Sequence, residues 1–161
     1  MADLTAQQVD CIMYNLRQWR RLVNLIEPRT SASVVTLPVA TSRHGSTVER
    51  AAVHRAVVSD VLDRATNGLI TLPRGQQTIA RMRYGLRADG VCHSIREIAD
   101  YLTKTRRRRA NATRFERVST ATVQRKLEAI RKHLTREIGT VSREFWRAIE
   151  TLEVATAKQT C

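Results

Sequence analysis

Wherever apolar and polar residues alternate with a clear period in this chain, the period is that of an α-helix. Val9, Ile12, Leu16, Trp19, Val23 and Ile26 recur at alternating steps of three and four, which predicts a helix over residues 5–26 that stops at Pro28. The rhythm is that of a coiled-coil seam but lasts less than three heptads, so packing against the rest of the chain and self-association both remain open. Ser46-Thr47-Val48-Glu49 is a capping box, and Val53, Ala56, Val57, Val61 and Leu62 supply an apolar face up to about Ala65, with Asn67-Gly68 as the stop. Leu72-Pro73 opens a helix through Ile79, Met82 and Arg83 that Gly85 closes, and residues 87–93, with Asp89-Gly90, form a turn. No strand-like alternation is convincing, and the expected fold class is all-α.

Two helices in the second half stand close together in sequence. The first opens at Ser94-Ile95-Arg96-Glu97, a second capping box, and aligns Ile95, Ile98, Ala99 and Leu102 on one face. The other opens at Ser119, a good N-cap, and aligns Val123, Leu127, Ile130 and Leu134, leaving Gln124, Arg125, Lys126, Arg131 and Lys132 on its other faces. A short helix followed by one that is polar at its start and basic along its exposed side has the parts of a helix-turn-helix reader over residues 94–134. The anomaly is the connection. Such a turn takes about three or four residues, whereas residues 103–118 form a long insert containing Arg106, Arg107, Arg108 and Arg109. Beyond Gly139, Thr140 or Ser142 caps a last helix that aligns Phe145, Ile149 and Leu152, and the tail from Ala155 is expected to fray. The resulting organisation is an N-terminal helix (1–28), a linker rich in Ser, Thr and Pro (29–45), a helical domain (46–139) and a C-terminal helix with its tail (140–161).

Charge changes this picture from architecture to partner. The 161 residues carry 28 Lys and Arg against 15 Asp and Glu, a net of +13. Eleven of the basic residues fall in residues 103–133 against Glu116 and Glu128 alone, so +9 is concentrated there and +4 is left for everything else. That is the electrostatic footprint of a polyanion binder. Lys104, Arg106, Arg107, Arg108, Arg109, Arg114, Arg117, Lys126, Arg131 and Lys132 are the candidates for phosphate contact or, from a flexible arm, for the minor groove. An arm of this composition is expected to be disordered alone and to order on DNA.

Other classes find less support. No run approaches the roughly eighteen apolar residues of a membrane span, and the N-terminus lacks the basic-then-apolar pattern of a secretory signal. The expected location is the cytoplasm or nucleoid of a bacterial host. Cys11, Cys92 and Cys161 are too scattered for a metal site and read as buried or incidental thiols. His44, His54, His93 and His133 are dispersed, and neither a nucleophile elbow nor a phosphate loop occurs, so neither an enzyme nor a bound cofactor is expected. RNA binding lacks an aromatic stacking platform.

Leu72-Pro73, Ile79, Arg83-Tyr84-Gly85-Leu86, the run from Ser94 to Leu102, Val118-Ser119 and Val123 together resemble region four of bacterial sigma factors. The resemblance covers residues 72–134, and the Arg-Tyr-Gly-Leu element is its most specific part. Nothing resembles the promoter-melting segments of a sigma factor. The order of a basic N-terminal helix, a linker and a helix containing Ser46, Thr47, Glu49 and Arg50 before that half is similar instead to phage late-gene activators of the ArpU and RinA type. The resemblance implies major-groove DNA binding by the helix after Ser119, with Thr120, Ala121, Thr122, Gln124 and Arg125 at the base-reading positions. Gln can pair bidentately with adenine and Arg with guanine, whereas Thr and Ala touch thymine methyls. Sigma region four often places Arg and Glu where this chain has Thr120, Ala121 and Thr122, so its target is expected to differ from the ordinary promoter hexamer. The expected function is a sequence-specific regulator of phage late genes acting on double-stranded DNA. RNA polymerase contact and a homodimer through the N-terminal helix are left open. The alternatives are a DNA-packaging protein resembling a terminase small subunit and a sigma-like polymerase subunit.

Overall fold

The computed structural model describes residues 4–25, 47–110 and 117–157. Every regular element among them is helical: α1 (Ala6–Leu25), α2 (Thr47–Thr71), α3 (Arg74–Arg83), α4 (Ile95–Ala110), α5 (Thr120–Ile138) and α6 (Arg143–Ala157). None of these helices is long and apolar enough to cross a membrane. The expected cap at Ser46, the stop at Ile26 and Pro28, the linker 29–45 and Cys161 lie outside the described residues.

The N-terminal helix is part of the core. Thr5 and Gln8 close a reciprocal cap, the Thr5 N–H donating to Gln8 Oε1 at 2.9 Å and the Gln8 N–H to Thr5 Oγ1 at 3.2 Å. Downstream, Val9, Ile12, Leu16, Trp19 and Val23 are all buried, joined by Met13 and Leu22. They face α2, α5 and α6. The seam that left self-association open is therefore spent inside the chain. Trp19 meets Phe145 edge to face at 5.9 Å between centroids, and its indole N–H donates to Glu153 at 2.8 Å. One hydrophobic cluster takes residues from all six helices, so the N-terminal and C-terminal helices belong to the same packed body as the stretch between them.

α2 departs from expectation twice. It runs through Asn67-Gly68 to Thr71, and its buried stripe is Val58, Val61, Leu62, Ala65 and Leu69, while Val53 and Ala56 are exposed. The glycine serves packing instead of termination. A Cβ at Gly68 would lie 2.9 Å from Glu137 Cβ and 3.1 Å from Leu134 Cδ2, so its absence lets α2 cross close over α5. The Arg64 guanidinium, held by Asp60 at 2.9 Å, donates to the Ile138 carbonyl and thereby satisfies the end of α5. α5 stops at Gly139, whose φ of 65° suits a residue without a Cβ. α6 starts where the Phe145 N–H meets Ser142 Oγ at 3.3 Å, and buries Phe145, Ala148, Ile149 and Leu152. Its helix runs on through Ala157, past the expected start of fraying.

Candidate nucleic-acid interface

α4 and α5 begin as the sequence predicts. The Ser94 N–H donates to Glu97 Oε2 at 2.7 Å and the Glu97 N–H to Ser94 Oγ at 3.3 Å. These hydrogen bonds hold the Glu97 carboxyl below its ordinary range. Ser119 Oγ accepts from the Thr122 N–H at 3.2 Å. Behind these caps, Ile98 and Ala99 of α4 and Val123, Leu127, Ile130, Leu134 and Ile138 of α5 are buried.

The first half of the insert has a different form from the disordered arm expected. α4 continues through residues 103–110, so Arg106, Arg107, Arg108 and Arg109 are helical in backbone. Residues 111–116, Arg114 among them, lie outside the described residues. The excursion is closed at its base. The Val118 N–H donates to Thr103 Oγ1 at 3.0 Å, and Thr103 donates to the Ala99 carbonyl at 2.8 Å. Val118 is buried beneath this neck. A hydrogen bond spanning fifteen residues thus holds the body of α4 beside the start of α5, and α4 runs on past it to Ala110. This explains how a long insert coexists with two closely packed helices.

Opposite its buried stripe, α5 presents Thr120, Ala121, Gln124, Arg125 and Lys132 to solvent. Thr122 is only half exposed, and its hydroxyl lies 2.9 Å from that of Ser119, so it serves the cap. Lys126 is half buried, whereas Lys104, Arg106 and Arg107 are exposed on α4. Arg117 sits 3.7 Å from Asp100 with its side chain 78% exposed, a loose pair that costs little to exchange for a phosphate. Arg96, which the sequence marks only as part of the α4 cap, joins Asp100, Arg117, Ser119 and Thr120 around a 470 Å³ cleft between the start of α4 and that of α5.

Arg131 is placed differently from the other basic candidates. Its Nε and Nη2 donate to the two carboxylate oxygens of Asp10 at 2.9 and 2.7 Å, and the Tyr84 hydroxyl donates to the same carboxylate at 2.7 Å. This bidentate pair ties α5 to α1 and to the end of α3. It draws the guanidinium inward, so Arg131, one of the expected phosphate contacts, is engaged by Asp10 within the fold. Burial, together with the hydrogen bond to Asp10, pushes the Tyr84 hydroxyl pKa well up, and the same carboxylate raises that of Arg131. Asp10 gave no sequence signal as a partner. It is a polar residue beside an apolar seam, 121 positions from Arg131. Cys11 and Cys92 are exposed free thiols and contribute nothing to the core.

Among the described residues the elements are all helical, and exposed basic residues of α4 and α5 lie beside the start of α5. No family model, curated protein or solved structure matches the chain.

Proposed function

We propose that the chain is a sequence-specific double-stranded DNA-binding protein that regulates transcription, with α4 and α5 as a helix-turn-helix of the sigma-region-four type. One observation carries the reading: the first two turns of α5 are capped and backed by core, yet expose Thr120, Ala121, Gln124 and Arg125 beside the chain's greatest concentration of positive charge. A rigid helix with a short polar tip suits the major groove, and flanking cations supply affinity that carries no sequence information. Lys104, Arg106, Arg107, Arg108, Arg109, Arg117, Lys126 and Lys132 are the backbone-contact set, and the helical extension of α4 takes the role first given to a flexible arm. Regulation of phage late genes rests on the likeness to ArpU- and RinA-type activators.

The test separates readers from anchors. Gln124→Ala and Arg125→Ala are each expected to cost about 1–3 kcal/mol at one base pair of the preferred site and to relax discrimination there. Lys132→Ala is expected to weaken binding by a similar factor on every sequence. Fluorescence anisotropy against a set of single-base-pair variants distinguishes the two patterns. A uniform loss for Gln124→Ala and Arg125→Ala would remove α5 as the reader.

A further inference from the structure

α1 contributes a second basic surface, remote in sequence from α4 and α5. Arg17, Gln18 and Arg21 are exposed on it and form one wall of an open 540 Å³ cleft. The opposite wall is the turn between α3 and α4, where Gly85 and Gly90 have φ of 63° and 67°. A Cβ at Gly85 would stand 2.8 Å from the Gly90 carbonyl oxygen, so the turn is folded flat on itself and its backbone forms the wall. Arg17 donates to the Arg87 carbonyl at 3.2 Å across one edge. Arg83 lies over the ring of Tyr14, which lines the cleft, at 5.7 Å, and Arg87 lies over the Tyr101 ring at 5.4 Å. Asp89 is the one acid among the described lining residues, and its Oδ1 accepts from the Val91 N–H at 3.2 Å.

Neighbouring arginines do not all behave this way. Arg20, on the same helix, is satisfied within the fold by Asp63 at 2.7 Å, Thr66 at 2.8 Å and the Leu62 carbonyl at 3.1 Å. Among the described residues neither Arg17 nor Arg21 forms an ion pair. They stand one helical turn apart, about 5–6 Å between Cβ atoms, close enough to engage neighbouring phosphates of one strand. Contacts run from Arg17 to Arg87 and on to α4. Arg87 leads to Tyr101, and Lys104 lies one turn further along the same side of α4, on the way to the basic run.

We propose that the cleft between α1 and the α3–α4 turn is a second phosphate clamp, in which Arg17 and Arg21 hold the DNA backbone flanking the site read by α5. The clamp rests on the DNA-binding reading and adds α1, which lies outside the sigma-like stretch, to the interface. It lengthens the footprint and contributes affinity without base preference.

The experiment titrates the full chain against a mixed-sequence duplex of about 40 base pairs over a range of salt. The plot of log affinity against log salt is expected to flatten by about two for the Arg17→Gln/Arg21→Gln double variant and by about one for Arg21→Gln, at roughly 0.9 per lost phosphate contact. Arg143→Gln/Arg147→Gln removes the same charge from α6, which packs on α1 and α2 only, and is expected to leave the slope unchanged. Thermal unfolding of each variant confirms that the exposed substitutions leave the fold intact. If the wild type binds and the Arg17/Arg21 variants keep its slope, or the α6 control loses as much, the clamp is overturned while the α5 reading stands. If the wild type binds no duplex at low salt, both fall.

Discussion

Replacing Asp10 with alanine is expected to destabilise the fold by about 2–4 kcal/mol, a large effect for a single polar residue. The Asp10 carboxylate answers three donors: Nε and Nη2 of Arg131 and the Tyr84 hydroxyl. Side-chain exposure is only 23% for Asp10 and 29% for Arg131, and Tyr84 is 2% exposed, so water cannot fully replace the lost acceptor. Asp10→Ala strands a partly buried guanidinium and the hydroxyl of the buried Tyr84, and groups left without their acceptor in such places cost more than an intact pair contributes. Urea unfolding followed by circular dichroism measures the loss as a shift in midpoint at constant m-value. The triple variant Asp10→Ala/Tyr84→Phe/Arg131→Met is expected to recover part of it, since the stranded donors are then gone. A change below about 0.5 kcal/mol for Asp10→Ala would mean the three groups are screened as surface pairs are.

Converting Arg106, Arg107, Arg108 and Arg109 together to alanine is expected to have the largest effect on DNA binding. Counterion release predicts a salt slope shallower by about 3–4, and at about 0.1 M salt four lost contacts amount to roughly three orders of magnitude in affinity. The fold is expected to hold, because this run lies beyond the core residues of α4 and alanine is the best helix former. Preference among sequences is expected to change little, since phosphate contacts position the protein and base contacts specify. Titration of wild type and quadruple variant against one duplex at several salt concentrations checks both statements. An unchanged slope would mean that the run does not touch DNA.

Local chemistry made much of this fold legible. Apolar spacing placed α1, α3, α4, α5 and α6 because each has a single buried face, and the start signals at Pro73, Ser94, Ser119 and Ser142 marked where α3, α4, α5 and α6 begin. Reading failed where the deciding contact was distant. Gly68 looks like a helix stop in sequence, but its missing Cβ accommodates Glu137 and Leu134 of α5. Val53 and Ala56 fit the helical period yet are exposed, while Val58 and Ala65 take the buried stripe. The basic run looked like a loop because residue type suggested an arm. α4 carries it in helical form because nothing between Thr103 and Ala110 breaks a helix, and Thr103 ties the far end back at Val118. For the candidate site, the period of α5 separated Gln124 and Arg125 from the core side. It could not reveal that Thr122 serves the cap or that Arg131 turns toward Asp10, because both depend on partners that spacing does not encode.

Sequence reading by α5 is testable by selection of bound duplexes from a randomised pool by the purified full chain. The expected result is enrichment of one short motif, bound at least about a thousandfold more tightly than unselected sequence. Recovery of a pool that stays random after repeated rounds, at salt low enough for non-specific binding to be visible, would contradict it.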